Sequence, residues 1–287
     1  MIRRLCIFLA LPLAASIPLP LAAQGSPLLT KVDHVYLVSS ESERLFTLFR
    51  DEFQLPVVWP FNSYGDFASG GLSFGNVAME FVSKKVEDGA AACAGFKGIA
   101  FEPVGDADAA VAELKRRRIP HREPTPFKFT QGGQERVGWV VINFTEVPPT
   151  NVNVFICDYK QREHLAAGRN KAVSELVGKG GGPLGVTSVR ELVLGVASVK
   201  DAFQEWANLL DSPGRVESAV FAFGSGPAIR LVQAKTEEIQ SVVVGVKSIA
   251  QAKQFLTERQ MLGRESNGQL WIAPAAVGGL AIALVED

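Results

Sequence analysis

The feature that most constrains this chain is a unit written four times. Each copy runs from a short β-rich strand into a helical stretch and then into two or three further strand-like runs. The first copy opens at His34 with HVYLV and continues into SESERLFTLFRDEF. There Ser40 and Glu43 have capping-box spacing, and Leu45, Leu48, Phe49 and Phe53 form an apolar stripe. LPVVWPF, GGLSFG and NVAMEFV follow. The second copy runs from GIAFEPV through a helix starting at Asp106. After a proline-rich stretch it ends in RVGWVVINF and TNVNVFICDY. The third opens with RELVLGV, is capped at Ser198 and Asp201, and closes with SAVFAFG and PAIRLVQA. The fourth opens with SVVVGV, has Ser248 and Gln251 at capping-box spacing, and closes with GQLWIAP and GLAIALVED.

One such unit cannot bury both its helix and its sheet face, so units must pair around shared cores. Four units predict two domains, at 28–160 and 186–287. Residues 161–185 read as a polar linker with a helix. The GKGGGP at its end lacks the spacing of a phosphate loop. Hydrophobic residues make up 47% of the 287-residue chain and charged residues 21%, an ordinary globular balance. A formal net charge of −1 supplies no global field for nucleic acid or an anionic membrane. The run KRRR at 115–118 reads as a solvated last helical turn that complements the helix dipole.

The N-terminus has another logic. Arg3 and Arg4 precede a short apolar stretch broken by Pro12, Pro18 and Pro20, and small residues follow. This is the plan of a secretory signal peptide over 1–23, with cleavage expected after Ala23. Export to the periplasm or beyond is the expectation, with no membrane association after cleavage. Cys6 would leave with the signal. Cys93 and Cys157 remain, and in an oxidising compartment they are a candidate pair.

Four βαβββ modules, with DH on the first strand and MEF closing the first module, resemble the vicinal oxygen chelate superfamily of glyoxalases, bleomycin-resistance proteins and extradiol dioxygenases. The resemblance is strongest over KVDHVYLV through GGLSFGNVAMEFV and in VNVFICDY. It implies an α+β fold: two glyoxalase-like domains, each a cupped mixed sheet with helices outside, the second degenerate. It also implies a divalent metal (Zn, Fe, Ni or Mn) held on the first and last strands of paired modules. Carried over position by position, the first module supplies His34 and Glu80. The second offers Gly98 and Phe155, which cannot bind a metal, so a third ligand would have to come from Glu102, His121 or Asp158. In the second pair the corresponding positions are Glu191, Arg230, Ser241 and Ala283, of which the first two read as an internal ion pair.

His34 and Glu80 therefore carry open alternatives: a mutual hydrogen bond of structural value only, a metal-free pair with Glu80 as general base, or a pair of metal ligands. Trp59, Tyr64, Phe74, Trp139 and Phe155 are the candidate ligand-binding residues, with Lys128, Arg136 and Asn76 at the rim. The leading expectation is an exported monomer or homodimer that binds a small, partly aromatic molecule in the cup of the first domain. One alternative is a metal-dependent lyase or dioxygenase using His34 and Glu80. Another is a structural module with a filled cup.

Overall fold

The computed structural model describes residues 27–84 and 94–287. The expected signal peptide and Cys93 lie outside the described residues. The first sheet contains β1 (Leu29–Val38), β2 (Val57–Ser63), β3 (Phe67–Ser73), β4 (Ala78–Lys84), β5 (Gly95–Pro103), β6 (Thr125–Gln131), β7 (Gln134–Asn143) and β8 (Asn153–Tyr159). Their order is β2-β3-β4-β1-β5-β8-β7-β6. Helix α1 (Ser42–Asp51) follows β1, α2 (Ala107–Arg117) follows β5, and α3 (Arg162–Gly178) leads to the second half. There β9 (Val186–Val196), β10 (Val220–Phe221), β11 (Ala228–Gln233), β12 (Glu238–Val246), β13 (Leu262–Ser266), β14 (Gln269–Ile272) and β15 (Ile282–Glu286) form a second sheet, with α4 (Val199–Leu210) and α5 (Ile249–Glu258). Its order is β10-β11-β9-β12-β15-β14-β13.

Both sheets obey one rule. The opening strands of paired modules run antiparallel at the centre, β1 beside β5 and β9 beside β12. Each opening strand pairs in parallel with the last strand of its own module: β1 with β4, β5 with β8, β9 with β11 and β12 with β15. This is the α+β arrangement of four modules in two pairs. Residues 125–131, which read as a proline-rich connection, form the edge strand β6. Pro126 is tolerated at an edge because an edge strand need not donate on both sides.

Alternation along the strands separates two faces. Ile99 and Phe101 of β5, and Val154 and Ile156 of β8, enter the main core; Ala100, Phe155 and Cys157 face the opposite, cupped side. Helix α1 lays Leu45, Phe46 and Phe49 onto the core. That core is continuous between the halves. Phe101 lies 6.2 Å from Trp206 of α4, and Phe53 lies 6.2 Å from Phe255 of α5. The Trp206 indole N–H donates to the Pro148 carbonyl at 2.7 Å. Asn76 donates from Nδ2 to the Val189 carbonyl at 3.0 Å and accepts from the Val189 N–H at 2.9 Å. Its amide thus stands in for a strand neighbour of β9 and is not at a ligand rim.

Asp106, Ser198 and Ser248 cap their helices, each accepting from the backbone N–H three residues on, but the expected capping box at Ser248 is only half formed, since the Gln251 side chain donates to the Pro183 carbonyl. The first helix differs. Its N-cap is Glu41, with no side-chain cap, and Ser42 Oγ donates to the Val82 carbonyl at 2.7 Å and accepts from the Ser39 N–H at 3.1 Å. A hydroxyl bonded across to β4 ties helix to sheet, and this displaced the expected Ser40 cap. The KRRR turn is also not purely solvated. Arg117 donates to Glu113 at 2.7 Å and to the Asn208 carbonyl at 2.9 Å, joining α2 to α4. Among the described residues no helix is long and apolar enough to cross a membrane.

Candidate functional site

The cup of the first sheet is organised by an irregularity in β1. Val32 faces Phe101 and His34 faces Ala100, so Asp33 has no partner on β5. The extra residue is a bulge, and it turns Asp33 to the same side as His34. Asp33 Oδ2 lies 2.7 Å from His34 Nδ1. The other ring nitrogen, Nε2, lies 3.3 Å from Glu80 Oε2. Tyr159 donates its hydroxyl to Asp33 at 3.0 Å, and Arg169 of α3 pairs with the same carboxylate at 2.6 and 2.8 Å. Arg169 also covers the Tyr159 ring, 5.2 Å from its centroid.

Charge explains this chain of contacts. Asp33 has no exposed side-chain surface. Burial alone would push its pKa up. The hydrogen bond from His34, the charges of Arg169 and His34, and the Tyr159 hydroxyl reverse that and hold it at about 2. Burial would likewise push His34 down, but hydrogen bonds and charge from Asp33 and Glu80 raise it to about 9. A ring with a carboxylate oxygen at each nitrogen is satisfied on both sides only as the imidazolium. Burial, with Asp33 nearby, raises Tyr159 well above the usual phenol range.

A cavity of about 520 Å³ opens above this pair, within the range of small-molecule pockets. Trp59, Tyr64, Trp139 and Phe155 line it, as does Tyr36, and His34 and Glu80 form part of its floor. Trp59 lies over Gly71, where a Cβ would come within 2.5 Å of the indole. Trp139 stacks on Phe127 with centroids 4.0 Å apart. The filled-cup alternative is overturned by this space. The linker segment is also more than a connection: His164, Leu165, Gly168 and Arg169 of α3 line the cavity too.

No protein-family model and no curated protein sequence matches the chain. Solved structures do. A hypothetical protein from Staphylococcus aureus superposes with a TM-score of 0.58 at 11% identity, over 90% of this chain and 99% of that one. A variant of homoprotocatechuate 2,3-dioxygenase from Brevibacterium fuscum gives 0.56 at 12%, over 92% and 73%. The native homoprotocatechuate 2,3-dioxygenase from Arthrobacter globiformis gives 0.56 at 12%, over 91% and 80%. This chain has the vicinal oxygen chelate fold. At such identities the likeness concerns the fold alone.

The vicinal oxygen chelate fold implies a metal in the cup, and the residues present do not fit one. His34 has a carboxylate oxygen beside each ring nitrogen, Asp33 Oδ2 at 2.7 Å from Nδ1 and Glu80 Oε2 at 3.3 Å from Nε2. At Gly98 a Cβ would lie 1.9 Å from the Tyr36 ring, so that ring occupies the space of a second-module ligand. Phe155 fills the other position, 5.8 Å from His34 and 6.2 Å from Tyr36. The candidates for a third ligand are committed elsewhere. Glu102 pairs with Lys31 at 3.2 Å, His121 Nδ1 lies 2.8 Å from the Ile119 carbonyl, and Asp158 binds Lys160, Arg162 and the Ala107 N–H. Among the described residues no group of three or more His, Cys, Asp or Glu side chains is placed to hold a metal ion.

The structure brings together His34, Glu80, Trp59, Tyr64, Trp139 and Phe155, and places Phe74 elsewhere. Phe74 is buried in the main core, 6.2 Å from Phe49, because the turn after β3 carries it to the helix side. Lys128 pairs with Glu135 at 2.8 Å on the exposed β6–β7 hairpin, and Arg136 is exposed on the same hairpin. Cys157 is buried on the cup face. In the second sheet Arg230 donates to Glu191 at 2.7 Å, the internal ion pair read from the sequence, and Ser241 and Ala283 are buried. Asp33, Tyr36, Tyr159 and Arg169 were missed. Strict alternation puts Asp33 opposite His34, and only the bulge reverses that. The sole sequence signal for Arg169 is a basic residue in a polar helix.

Proposed function

We propose that this chain is an exported protein that binds a small, partly aromatic molecule in the cup of its first domain. The carrying observation is the cavity itself: aromatic walls around a floor where His34 and Glu80 meet, with Tyr36 and Phe155 standing where metal ligands would be. Aromatic faces stack on a flat ligand, and a few polar groups fix its orientation. Glu80 retains 16% side-chain exposure and serves as the acceptor for a ligand hydroxyl or amine. The metal-dependent lyase or dioxygenase reading lacks a donor set and is not carried forward.

Isothermal titration calorimetry with 2-naphthol, a flat neutral probe with one donor, tests this reading. Saturable binding to the wild type is expected, weakened by about tenfold or more in Trp59→Ala. Equal binding by Trp59→Ala, with its fold intact by circular dichroism, would put the probe outside this cavity and sink the assignment.

A further inference from the structure

His34, Glu80 and Arg169 line the cavity, and the ionised groups there and in contact with them pair off. Asp33 is matched by Arg169 at 2.6 Å and Glu80 by His34 at 3.3 Å. Glu102, 4.0 Å from Arg169, is matched by Lys31 at 3.2 Å. Each couple is neutral, so an entering ligand meets no unmatched charge. Around the floor the walls are mainly aromatic. A charged ligand would lose its hydration there without gaining a counter-ion.

One partner in this balance comes from outside the four modules. Asp33, His34 and Glu80 belong to the first module, and Arg169 is delivered by α3, the helix between the domains. Without Arg169, Asp33 and Glu80 would set two carboxylates against the one imidazolium of His34 that lies between them. We propose that Arg169 is a specificity-determining residue: by neutralising Asp33 it makes the cavity select neutral flat aromatic ligands that carry a hydrogen-bond donor for Glu80. This rests on the binding reading above and adds the charge class of the ligand and the residue that sets it.

Three probes with one ring system separate the outcomes: 2-naphthol (neutral), 2-naphthoate (anionic) and 2-naphthylmethylammonium (cationic). Calorimetry on the full chain, as wild type, Arg169→Gln and Asp33→Asn/Arg169→Gln, reads the preference. The wild type is expected to bind 2-naphthol at least about tenfold more tightly than either ion. Arg169→Gln is expected to gain roughly tenfold for the cation relative to 2-naphthol, through the unmatched Asp33 carboxylate. The double variant restores neutrality without restoring the ion pair, and the neutral preference is expected to return. If the wild type binds 2-naphthoate as tightly as 2-naphthol, the inference is overturned while the binding reading stands. An unchanged preference in Arg169→Gln, with the fold retained, overturns it equally. If none of the three probes binds, both fall.

Discussion

Asp33 and His34 are neighbours in sequence with opposite pKa shifts, and those shifts define a pH window. Asp33 sits at about 2 in the folded chain against 3.8 in its ordinary state. Its contribution is therefore present above about pH 4 and is lost as pH falls toward 2. His34 sits at about 9 against 6.5, so its contribution is complete below 6.5 and is lost as pH rises through 9. Urea midpoints should be highest between these limits and fall on both sides. Asp33 contributes on the order of 2 kcal/mol to the acid limb, and Asp33→Asn is expected to remove that share and shorten the alkaline limb. An unaltered acid limb in Asp33→Asn would refute this account. Gly98 supplies a second test at the same scale. Gly98→Ala forces the Tyr36 ring from its place and should cost about 1–3 kcal/mol. Tyr36→Ala should relieve most of that penalty, so the two substitutions should be non-additive in denaturation.

Caps and the bridging helix decide matters at the scale of elements. Ser198 accepts from the Asp201 N–H at 3.3 Å, whereas Ser40, read as a cap, does not cap its helix. Ser198→Ala is expected to cost about 1 kcal/mol, and Ser40→Ala to stay within about 0.5 kcal/mol. Chemical denaturation of the two variants checks the contrast; an equal loss would contradict the α1 geometry. Helix α3 is held near its middle by Arg169 on Asp33 and farther along by the buried Ala172 and Leu176. Leu176→Ala should therefore destabilise the chain by about 2–5 kcal/mol, although the sequence around it reads as a linker.

For the whole molecule the relevant fact is the shared core. Trp206 is fully buried, meets Phe101 from the other half and bonds to Pro148. The halves should unfold together, with calorimetric and van't Hoff enthalpies in agreement. Trp206→Ala should cost about 3–5 kcal/mol and lower the single transition. Two well-separated transitions in the wild type would mean that the halves are energetically independent.

The amino-acid pattern by itself determined the module order, the pairing of modules and the first-strand position of His34. Those follow from local periodicity and capping, which neighbouring residues specify among themselves. The resemblance of the first module to the vicinal oxygen chelate pattern marked Glu80, and the aromatic residues of the strands and loop around it pointed to most of the cavity walls. Only the tertiary structure decided the orientation of Asp33, since a bulge depends on the register between two strands. It alone put Phe74 in the core and Tyr36 over Gly98, where one strand fills space that another leaves open. And it alone carried Arg169 from a helix that reads as a linker to the floor of the cup, because no local pattern records which distant carboxylate a surface-type residue will meet.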